Sequence, residues 1–398
     1  MKFNYILFLL LLSTSVLFFS CTDEPSSLGI TQIESDLILV KTFDSITDTI
    51  SQNSTYFKRV IPLGNSDWVL VGRYNNQLFD QDIKSSALLK FVFGLPDSIK
   101  TEITDGNIIV NDAWIKLRNR YIYVDTLASL DFTVHKVNSN WTTAFTIDSL
   151  PNLDYDISDI SSNFTIDDTS YSFHLDNSLI FDWMKNSVSR DSADNFGIYL
   201  DPTTSSNKVV GFEAFTLLSS QAAKLTVIIE KPGAYVDTIS GFISADISLV
   251  DGPVPTLPAG IIGVQSGVTI KSRLTFDISA LPLGIVVNKA ELILTSDTTN
   301  SVKGSRYTNN LLAFYLRYAD SLNTEGSPVT LNYSDGKYSG DITSFVRTWL
   351  SRNQNYGLLI QPGNQLSGLD LFALKGSDNS EITNRPRLRI TYTIKKIL

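Results

Sequence analysis

Cysteine and histidine are almost absent from this sequence, which contains one cysteine and two histidines in 398 residues. One cysteine excludes a disulfide framework and a cysteine-based zinc site, and two histidines leave no histidine-rich metal centre. Glutamate is also scarce, with 8 residues against 33 aspartates. Because glutamate favours helices whereas aspartate favours turns and helix caps, this imbalance indicates a protein rich in strands and loops.

Basic residues are too few for nucleic-acid binding. The chain has 32 lysines and arginines against 41 acidic residues, a formal net charge of -9. Because nucleic-acid binding requires a basic face, we expect no nucleic-acid partner. With 43% hydrophobic residues, the chain has enough apolar side chains for two medium domains or one large one.

Residues 1–20 have the pattern of a secretory signal peptide. Lys2 supplies the positive start, residues 6–12 form an apolar core, and a second apolar run at residues 16–19 precedes Ser20. A membrane-spanning helix is the alternative, but the unbroken apolar run is shorter than the roughly 20 residues that cross a bilayer. We therefore predict secretion.

The single cysteine, Cys21, follows this segment directly. Leu17, Ser20 and Cys21 resemble a bacterial lipobox, in which the cysteine becomes the lipidated first residue. Residues 21–41 begin with a polar stretch, and we predict that they form a lipidated flexible tether. The acidic pair close behind the cysteine resembles the surface-export signal of Bacteroidota lipoproteins, with an ordinary acidic linker as the alternative. These resemblances imply a lipid anchor in the outer membrane and exposure at the cell surface.

The rest of the chain contains one unit twice. Six short segments recur in the same order: residues 48–51 as 237–240, 89–96 as 274–282, 109–117 as 286–294, 180–184 as 346–350, 195–202 as 355–362 and 224–228 as 387–391. A single match is weak, but six in the same order indicate tandem duplication. We place the first copy at residues 42–231 and the second copy at residues 232–398.

Each copy has the pattern of antiparallel β-structure. Short runs alternate apolar and polar residues and are bounded by glycine, proline, asparagine and serine. One short helix interrupts each copy, at residues 179–184 after the capping residue Asp176 and at residues 345–350 after Asp341. The predicted fold class is all-β, with two tandem jelly-roll-like antiparallel β-sandwiches that each contain one short helix.

The second copy resembles a known family. The residues that carry the resemblance are Leu274, Phe276, Leu281, Pro282, Ala290, Leu292, Asp341, Thr343, Val346, Trp349, Asn355, Gly357, Arg385, Pro386 and Leu388. This order is similar to the DNRLRE domain, a β-sandwich associated with carbohydrate-binding modules in secreted bacterial proteins. The first copy matches less well, because Ala222-Ala223-Lys224 replaces the Arg-Pro before its last strand. The resemblance implies a fold and a sugar-binding class, but no particular sugar.

Catalytic patterns are scarce. His135 and His174 lie outside any HExxH motif, and no GxSxG elbow occurs. Ser205 and Lys208 have the SxxK spacing, but they lie in a loop of serine, threonine and asparagine, where coincidence is the simpler explanation. Two carboxylates across a cleft would suffice for a glycosidase, and nothing in the sequence favours one. We predict that the protein is not an enzyme.

Aromatic side chains outside the apolar stripes are the candidate ligand-binding residues. Sugar rings stack on aromatic rings, and their hydroxyls pair with neighbouring polar groups. Trp114 alternates out of phase with Ala113, Ile115 and Leu117, and the second copy has Glu291 at this position. Packing under a loop or against the other copy is the alternative. The predicted glycan-binding residues are Trp114, Tyr121, Tyr123, Tyr315 and Arg317.

An acidic stretch in the first copy is the candidate metal site. Asp154, Asp156 and Asp159 offer carboxylate oxygens of the kind that calcium prefers. The stretch lacks the glycine and glutamate of an EF-hand loop, so a solvated surface loop is the alternative. Calcium is the one cofactor that the sequence suggests.

Charge differs between the copies. Residues 42–231 contain 15 basic and 24 acidic side chains, whereas residues 232–398 contain 15 and 13. The first copy therefore has a net charge of -9 and the second a net charge of +2. Of the two, the second copy is the one whose charge suits an acidic ligand.

Two functions fit these patterns. The first is a surface lipoprotein that binds a polysaccharide without cleaving it, with tandem domains that raise its avidity. The second is a structural or adhesion lipoprotein of the envelope that contacts a protein partner. Burial of Trp114, Tyr121 and Tyr123 between the copies would favour the second function.

Overall fold

The computed structural model describes residues 38–48, 50–124, 127–189, 195–214, 222–319 and 322–395. Of these residues, 51% lie in strands and 12% in helices, and the strands pair antiparallel in two large sheets. The predicted all-β class is confirmed at this level. The predicted signal peptide, Cys21 and most of the predicted tether lie outside the described residues.

The strands follow one another along the whole described chain. They are β1 (Ile38–Asp44), β2 (Gln52–Lys58), β3 (Leu63–Gly64), β4 (Trp68–Asn76), β5 (Gln81–Phe93), β6 (Ile109–Tyr123), β7 (Phe132–Lys136), β8 (Ser161–Asp167), β9 (Ser170–Leu175), β10 (Ile198–Pro202), β11 (Val209–Glu213), β12 (Lys224–Lys231), β13 (Tyr235–Asp251), β14 (Ile261–Gln265), β15 (Ile270–Phe276), β16 (Val286–Thr295), β17 (Asn310–Leu316), β18 (Thr324–Ser334), β19 (Lys337–Asp341), β20 (Leu358–Pro362), β21 (Leu371–Lys375) and β22 (Arg387–Lys395). The helices are α1 (Asp97–Thr104), α2 (Asn177–Val188) and α3 (Thr343–Arg352), with short 3₁₀ segments at Ile147–Asn152 and Ile382–Asn384.

Helices α2 and α3 form where the sequence predicts them. The Asp176 carboxylate accepts hydrogen bonds from the first N–H groups of α2, and Asp341 accepts one from the Thr343 N–H at the start of α3. Each helix buries a tryptophan at the same repeat position, Trp183 in α2 and Trp349 in α3. Both tryptophans therefore belong to the core.

Helix α1 was not predicted. It follows Pro96 and buries Ile99 and Ile103, which lie one turn apart on one side of the helix. Its eight residues include threonine, serine and aspartate, so its helical signal in the sequence is weak. The second copy has a shorter connection, residues 283–285, at the corresponding place.

The duplication extends to the strand register. Ile198 pairs with Leu89 in the first copy, and their repeat counterparts Leu358 and Leu274 pair in the second. The Asn195 side-chain amide donates to the Phe91 carbonyl at 2.9 Å, and the Asn355 amide donates to the Phe276 carbonyl at 2.8 Å. Equivalent residues therefore make equivalent contacts in the two copies.

The first strands of the two copies are exchanged. Strand β1 pairs with β22 and β2 pairs with β15, both in the second copy. In return, β13 pairs with β12 and β5 of the first copy. The folded units therefore differ from the predicted sequence segments: residues 38–58 join the second unit, including part of the predicted tether, and residues 235–251 join the first.

A hydrophobic cluster joins the two copies. It includes Leu70, Ile83 and Val209 from the first copy and Ile270 and Leu369 from the second, all fully buried. Polar groups cross the same boundary. Gln81 donates to the Gln265 side-chain oxygen at 2.9 Å, and both residues are buried. The copies therefore share a continuous interior at this boundary.

Candidate functional site

Trp114 lies on the outward side of β6, with its ring half-buried. Its neighbours Ala113 and Ile115 point into the core, as the alternation of β6 predicts. The strand register places His174 of β9 opposite Trp114 on one side and Thr226 of β12 opposite it on the other. The ring centres of Trp114 and His174 are 6.0 Å apart.

A hydrogen-bonded pair of polar side chains adjoins the tryptophan. The Asp112 carboxylate and the His174 Nδ1 are 2.7 Å apart, and both side chains are partly exposed. Asp112 fixes the orientation of the imidazole, and about a third of the His174 side chain is exposed. The arrangement offers an apolar ring beside a fixed donor or acceptor.

The surrounding surface is an open sheet side with small hydroxyl residues. Strands β8, β9, β6, β12 and β13 lie side by side, and we call their outward side the Trp114 face. The hydroxyl residues that share this side with Trp114 are Ser162, Ser172, Thr226 and Ser240. Such a face offers an extended ligand one ring to stack on and several hydroxyls to bond with.

Tyr121 and Tyr123 are buried, which corrects their prediction as glycan-binding residues. Both have 0% of their surface exposed, within the cluster that joins the copies. A β-bulge in β6 between Asn119 and Tyr121 shifts the alternation, so that both tyrosines lie on the same side of the sheet as Trp114 despite their odd numbers. At this end of β6 the second copy covers the outward side of the sheet.

Tyr315 is also buried, with 3% of its surface exposed, and its ring packs against Phe345 of α3. The inward residues of β17 are Leu311, Ala313 and Tyr315, whereas the prediction of Tyr315 as a glycan-binding residue requires Leu312, Phe314 and Leu316 to point inward. Because apolar residues occupy consecutive positions of this strand, alternation in the sequence does not show which side of the strand points inward. Of the predicted pair, Arg317 alone is exposed.

Arg317 lies beside an exposed tyrosine that the sequence analysis did not select. Its guanidinium carbon is 5.2 Å from the centre of the Tyr318 ring, and its Nε is 3.8 Å from Glu325. Tyr318 lies just beyond the end of β17, so strand alternation gives no signal for it. Likewise, Asp112 and His174 come together through long-range strand pairing, which no local pattern indicates.

The carboxylates of two of the three predicted calcium ligands accept hydrogen bonds from neighbouring protein groups. Asp156 accepts a hydrogen bond from the Asn138 amide at 2.7 Å, and Asp159 accepts from the Val134 N–H and the Ser161 hydroxyl. Among the described residues, no three histidine, cysteine or carboxylate side chains come together as they would around a metal ion. The structure therefore gives Asp154, Asp156 and Asp159 no shared metal geometry.

A buried carboxyl lies between the copies. Asp370 is 3% exposed and accepts hydrogen bonds from the Gly304 N–H at 2.7 Å and the Tyr121 hydroxyl at 3.4 Å. Burial raises the pKa of Asp370 from 3.8 to about 6, although these two donors and the nearby Lys303 ammonium oppose the rise. The folded state therefore holds a proton that the unfolded chain releases at lower pH.

Removal of the Asp370 charge is expected to stabilise the protein above pH 6. Because the folded pKa is the higher one, the contribution of Asp370 to stability falls as the pH rises from about 4 to about 6. A pKa difference of about 2 corresponds to about 3 kcal/mol. The amide oxygen of an asparagine could accept the same two hydrogen bonds, so Asp370→Asn should raise the urea midpoint at pH 7.5 and flatten its dependence on pH.

A second buried carboxylate provides the control for this measurement. Asp297 is 5% exposed and is bonded to Lys375 at 3.0 Å and to the Asn300 amide at 2.9 Å. Burial opposes its ionisation, but these donors hold its pKa below the ordinary value. Asp297→Asn should therefore lower the midpoint at pH 7.5, and a fall of similar size in Asp370→Asn would contradict the assignment.

Comparison of the chain with protein-family models, with curated proteins and with solved structures found no match in any of the three. Over the residues that the structure describes, no helix combines the length and the apolar character needed to cross a membrane.

Proposed function

We propose that the protein binds a glycan without cleaving it, through the Trp114 face of the first copy. The observation that carries this proposal is the partly exposed Trp114 side chain beside the Asp112–His174 pair on an open sheet. A sugar presents a C–H face that packs on an indole ring, and its hydroxyls bond to carboxylate, imidazole and hydroxyl groups. All of these groups lie on the same side of the sheet.

The shape of the Trp114 face favours a polymer over a small molecule. Side-by-side strands support an extended ligand, whereas small ligands are held in concave pockets that cover most of their surface. One aromatic ring gives modest affinity, so binding would depend on repeated contacts along a chain or between molecules. The proposed ligand class is therefore a polysaccharide.

The proposed setting is the cell surface. We propose that residues 1–20 are a signal peptide, that Cys21 carries a lipid in the outer membrane, and that the two copies fold as jelly-roll-like β-sandwiches related to DNRLRE domains. The patterns that support this setting are the lipobox-like residues before Cys21 and the DNRLRE-like order of the second copy. A lipid anchor would hold the Trp114 face near a polymer outside the cell.

Substitution of Trp114 tests the proposal. We expect the chain from residue 22 onward to be retarded by at least one polysaccharide in affinity electrophoresis, and Trp114→Ala to weaken this binding about tenfold, because stacking is worth about 1 kcal/mol or more. Tyr318→Ala provides the control, because Tyr318 is 49% exposed and lies outside the Trp114 face. Absence of retention on every polysaccharide, or equal retention of Trp114→Ala, would contradict the proposal.

A structural or adhesion role is the second candidate. The observation that favours it is the burial of Tyr121 and Tyr123 between the copies, which leaves Trp114 as the accessible member of the three. Interlocked first strands also suit a protein that holds a fixed shape. This candidate predicts co-purification with a defined envelope protein that Trp114→Ala leaves unchanged.

A further inference from the structure

The connection after a shared Leu-Pro pair differs between the two copies. In the first copy, Leu95-Pro96 leads into residues 97–108, which include helix α1. In the second copy, Leu281-Pro282 leads through residues 283–285 directly into β16. The second copy therefore lacks a counterpart of α1.

Helix α1 covers an apolar surface in the first copy. Ile99 and Ile103 are 6% and 3% exposed, and they belong to the same core cluster as Trp183 and Met184 of α2. Met184 is fully buried. The first copy thus shows that an amphipathic helix fits against this side of the fold.

The corresponding surface of the second copy is open. Leu350, the counterpart of Met184, is partly exposed, and Leu283 is 99% exposed. A groove of about 270 Å³ lies between residues 281–285 and α3, and a second groove of about 360 Å³ lies on the other side of Leu283. Leu281, Leu283 and Leu350 line both grooves. The two grooves therefore adjoin along these leucines and are lined by apolar and polar residues in similar measure, and we call them together the α3 groove.

An arginine gives the α3 groove a charge. The Arg347 guanidinium donates to the Val287 carbonyl at 3.0 and 2.7 Å, and its charge is one of the contributions that lower the pKa of Asp341. Its counterpart in the first copy is Phe181. The covering helix α1 carries two carboxylates, Asp97 and Glu102, against one lysine, Lys100, and the second copy has a net charge of +2. Asp277 lines the second of the two grooves, so charge favours a carboxylate of the occupant on the Arg347 side.

We propose that the α3 groove binds an amphipathic helix of a partner protein. In this arrangement, two apolar residues one turn apart on the partner helix lie on the two sides of Leu283. They take the place that Ile99 and Ile103 of α1 take against α2 in the first copy. A carboxylate of the helix pairs with Arg347. This is the helix-in-groove mode of recognition, with the missing α1 supplied by another chain.

The probe is a fluorescein-labelled peptide with the sequence of residues 95–108. Its binding to the chain from residue 22 onward is measured by fluorescence anisotropy. A peptide this short is only partly helical in water, so binding is expected in the range of about 10 µM to 1 mM. Leu283→Asp should weaken binding at least about tenfold, and it cannot disturb the core, because Leu283 is almost fully exposed. Leu78→Asp is the matched control, because Leu78 is 73% exposed elsewhere in the chain.

A charge exchange tests the arginine. Arg347→Glu should weaken binding of the same peptide, and a peptide with lysine in place of Glu102 should recover binding to that variant. Absence of binding up to 1 mM, or equal binding by Leu283→Asp, would overturn the proposal. Binding of dodecanoate in place of the peptide, or a dimer that Leu283→Asp dissociates, would also overturn it by identifying a lipid or a second copy as the occupant. Trp114→Ala should leave peptide binding unchanged, so this test is independent of glycan binding.

Discussion

A chain that begins at residue 59 is expected to lose the cooperative fold of the second copy. Such a chain lacks β1 and β2, which pair with β22 and β15 of the second copy. Phe43 of β1 is 5% exposed and belongs to the core of the second copy. The deletion therefore removes part of this core. It also removes contacts between residues far apart in sequence, such as Asp44 of β1 and its partner Arg387, which are 343 residues apart.

The contacts of β1 explain the size of this effect. The Asp44 carboxylate accepts hydrogen bonds from the Arg387 guanidinium, and the Ser45 N–H donates to the Leu388 carbonyl at 2.9 Å. Burial of Phe43 alone contributes about 2–3 kcal/mol. Since the net stability of a domain is about 5–15 kcal/mol, loss of both strands removes a large part of it. The thermal midpoint should fall by at least about 10 °C.

Thermal unfolding measured by circular dichroism tests this expectation, with the chain from residue 22 as the control. A peptide of residues 38–58 added in excess should restore the lost transition, because an edge strand can be supplied by a separate chain. An unchanged midpoint in the chain from residue 59 would show that the exchanged strands are not needed.

Alanine at Gly357 is expected to destabilise the second copy by about 4 kcal/mol or more. Gly357 has a φ of +89°, and a Cβ at this position would lie 2.2 Å from the Leu274 carbonyl oxygen. This oxygen belongs to the backbone of β15, so it cannot move without disturbing the strand. Gly197 has the same conformation and would meet the Leu89 carbonyl oxygen, the repeat counterpart, at 1.9 Å.

A second glycine separates the steric effect from the conformational one. Gly336 has a similar φ of +76°, but a Cβ there would meet no atom within 4 Å. Gly336→Ala should therefore cost only about 1–2 kcal/mol, the penalty of a left-handed residue. Urea unfolding of the two variants measures the difference, and equal losses would mean that the contact with Leu274 is unimportant.

The duplication and two helices followed from the sequence because their signals are local. Asp176 and Asp341 are polar residues directly before an apolar helical pattern, and both bond to the first turn of the helix. The exchange of first strands did not follow, because alternation shows that a segment is a strand but not which strand it pairs with. Only the structure shows that β1 joins β22.

The candidate site was also predicted only in part, because some of its contacts depend on which strands pair. Trp114 could be placed on the outward side because its flanking residues are strictly apolar. Tyr121 was predicted to be accessible, but it is buried because the second copy covers the outward side of β6 at this end, and no local pattern indicates that contact. The Asp112–His174 pair required knowledge of the register between β6 and β9.

The most direct test of the proposed function is a crystal structure of the protein with an oligosaccharide released from a polysaccharide that it retains. We expect a sugar ring to lie against the Trp114 indole, with a hydroxyl within about 2.7–3.2 Å of Asp112 or His174. A bound sugar that leaves the Trp114 face empty would contradict the account, wherever else on the molecule the sugar lies.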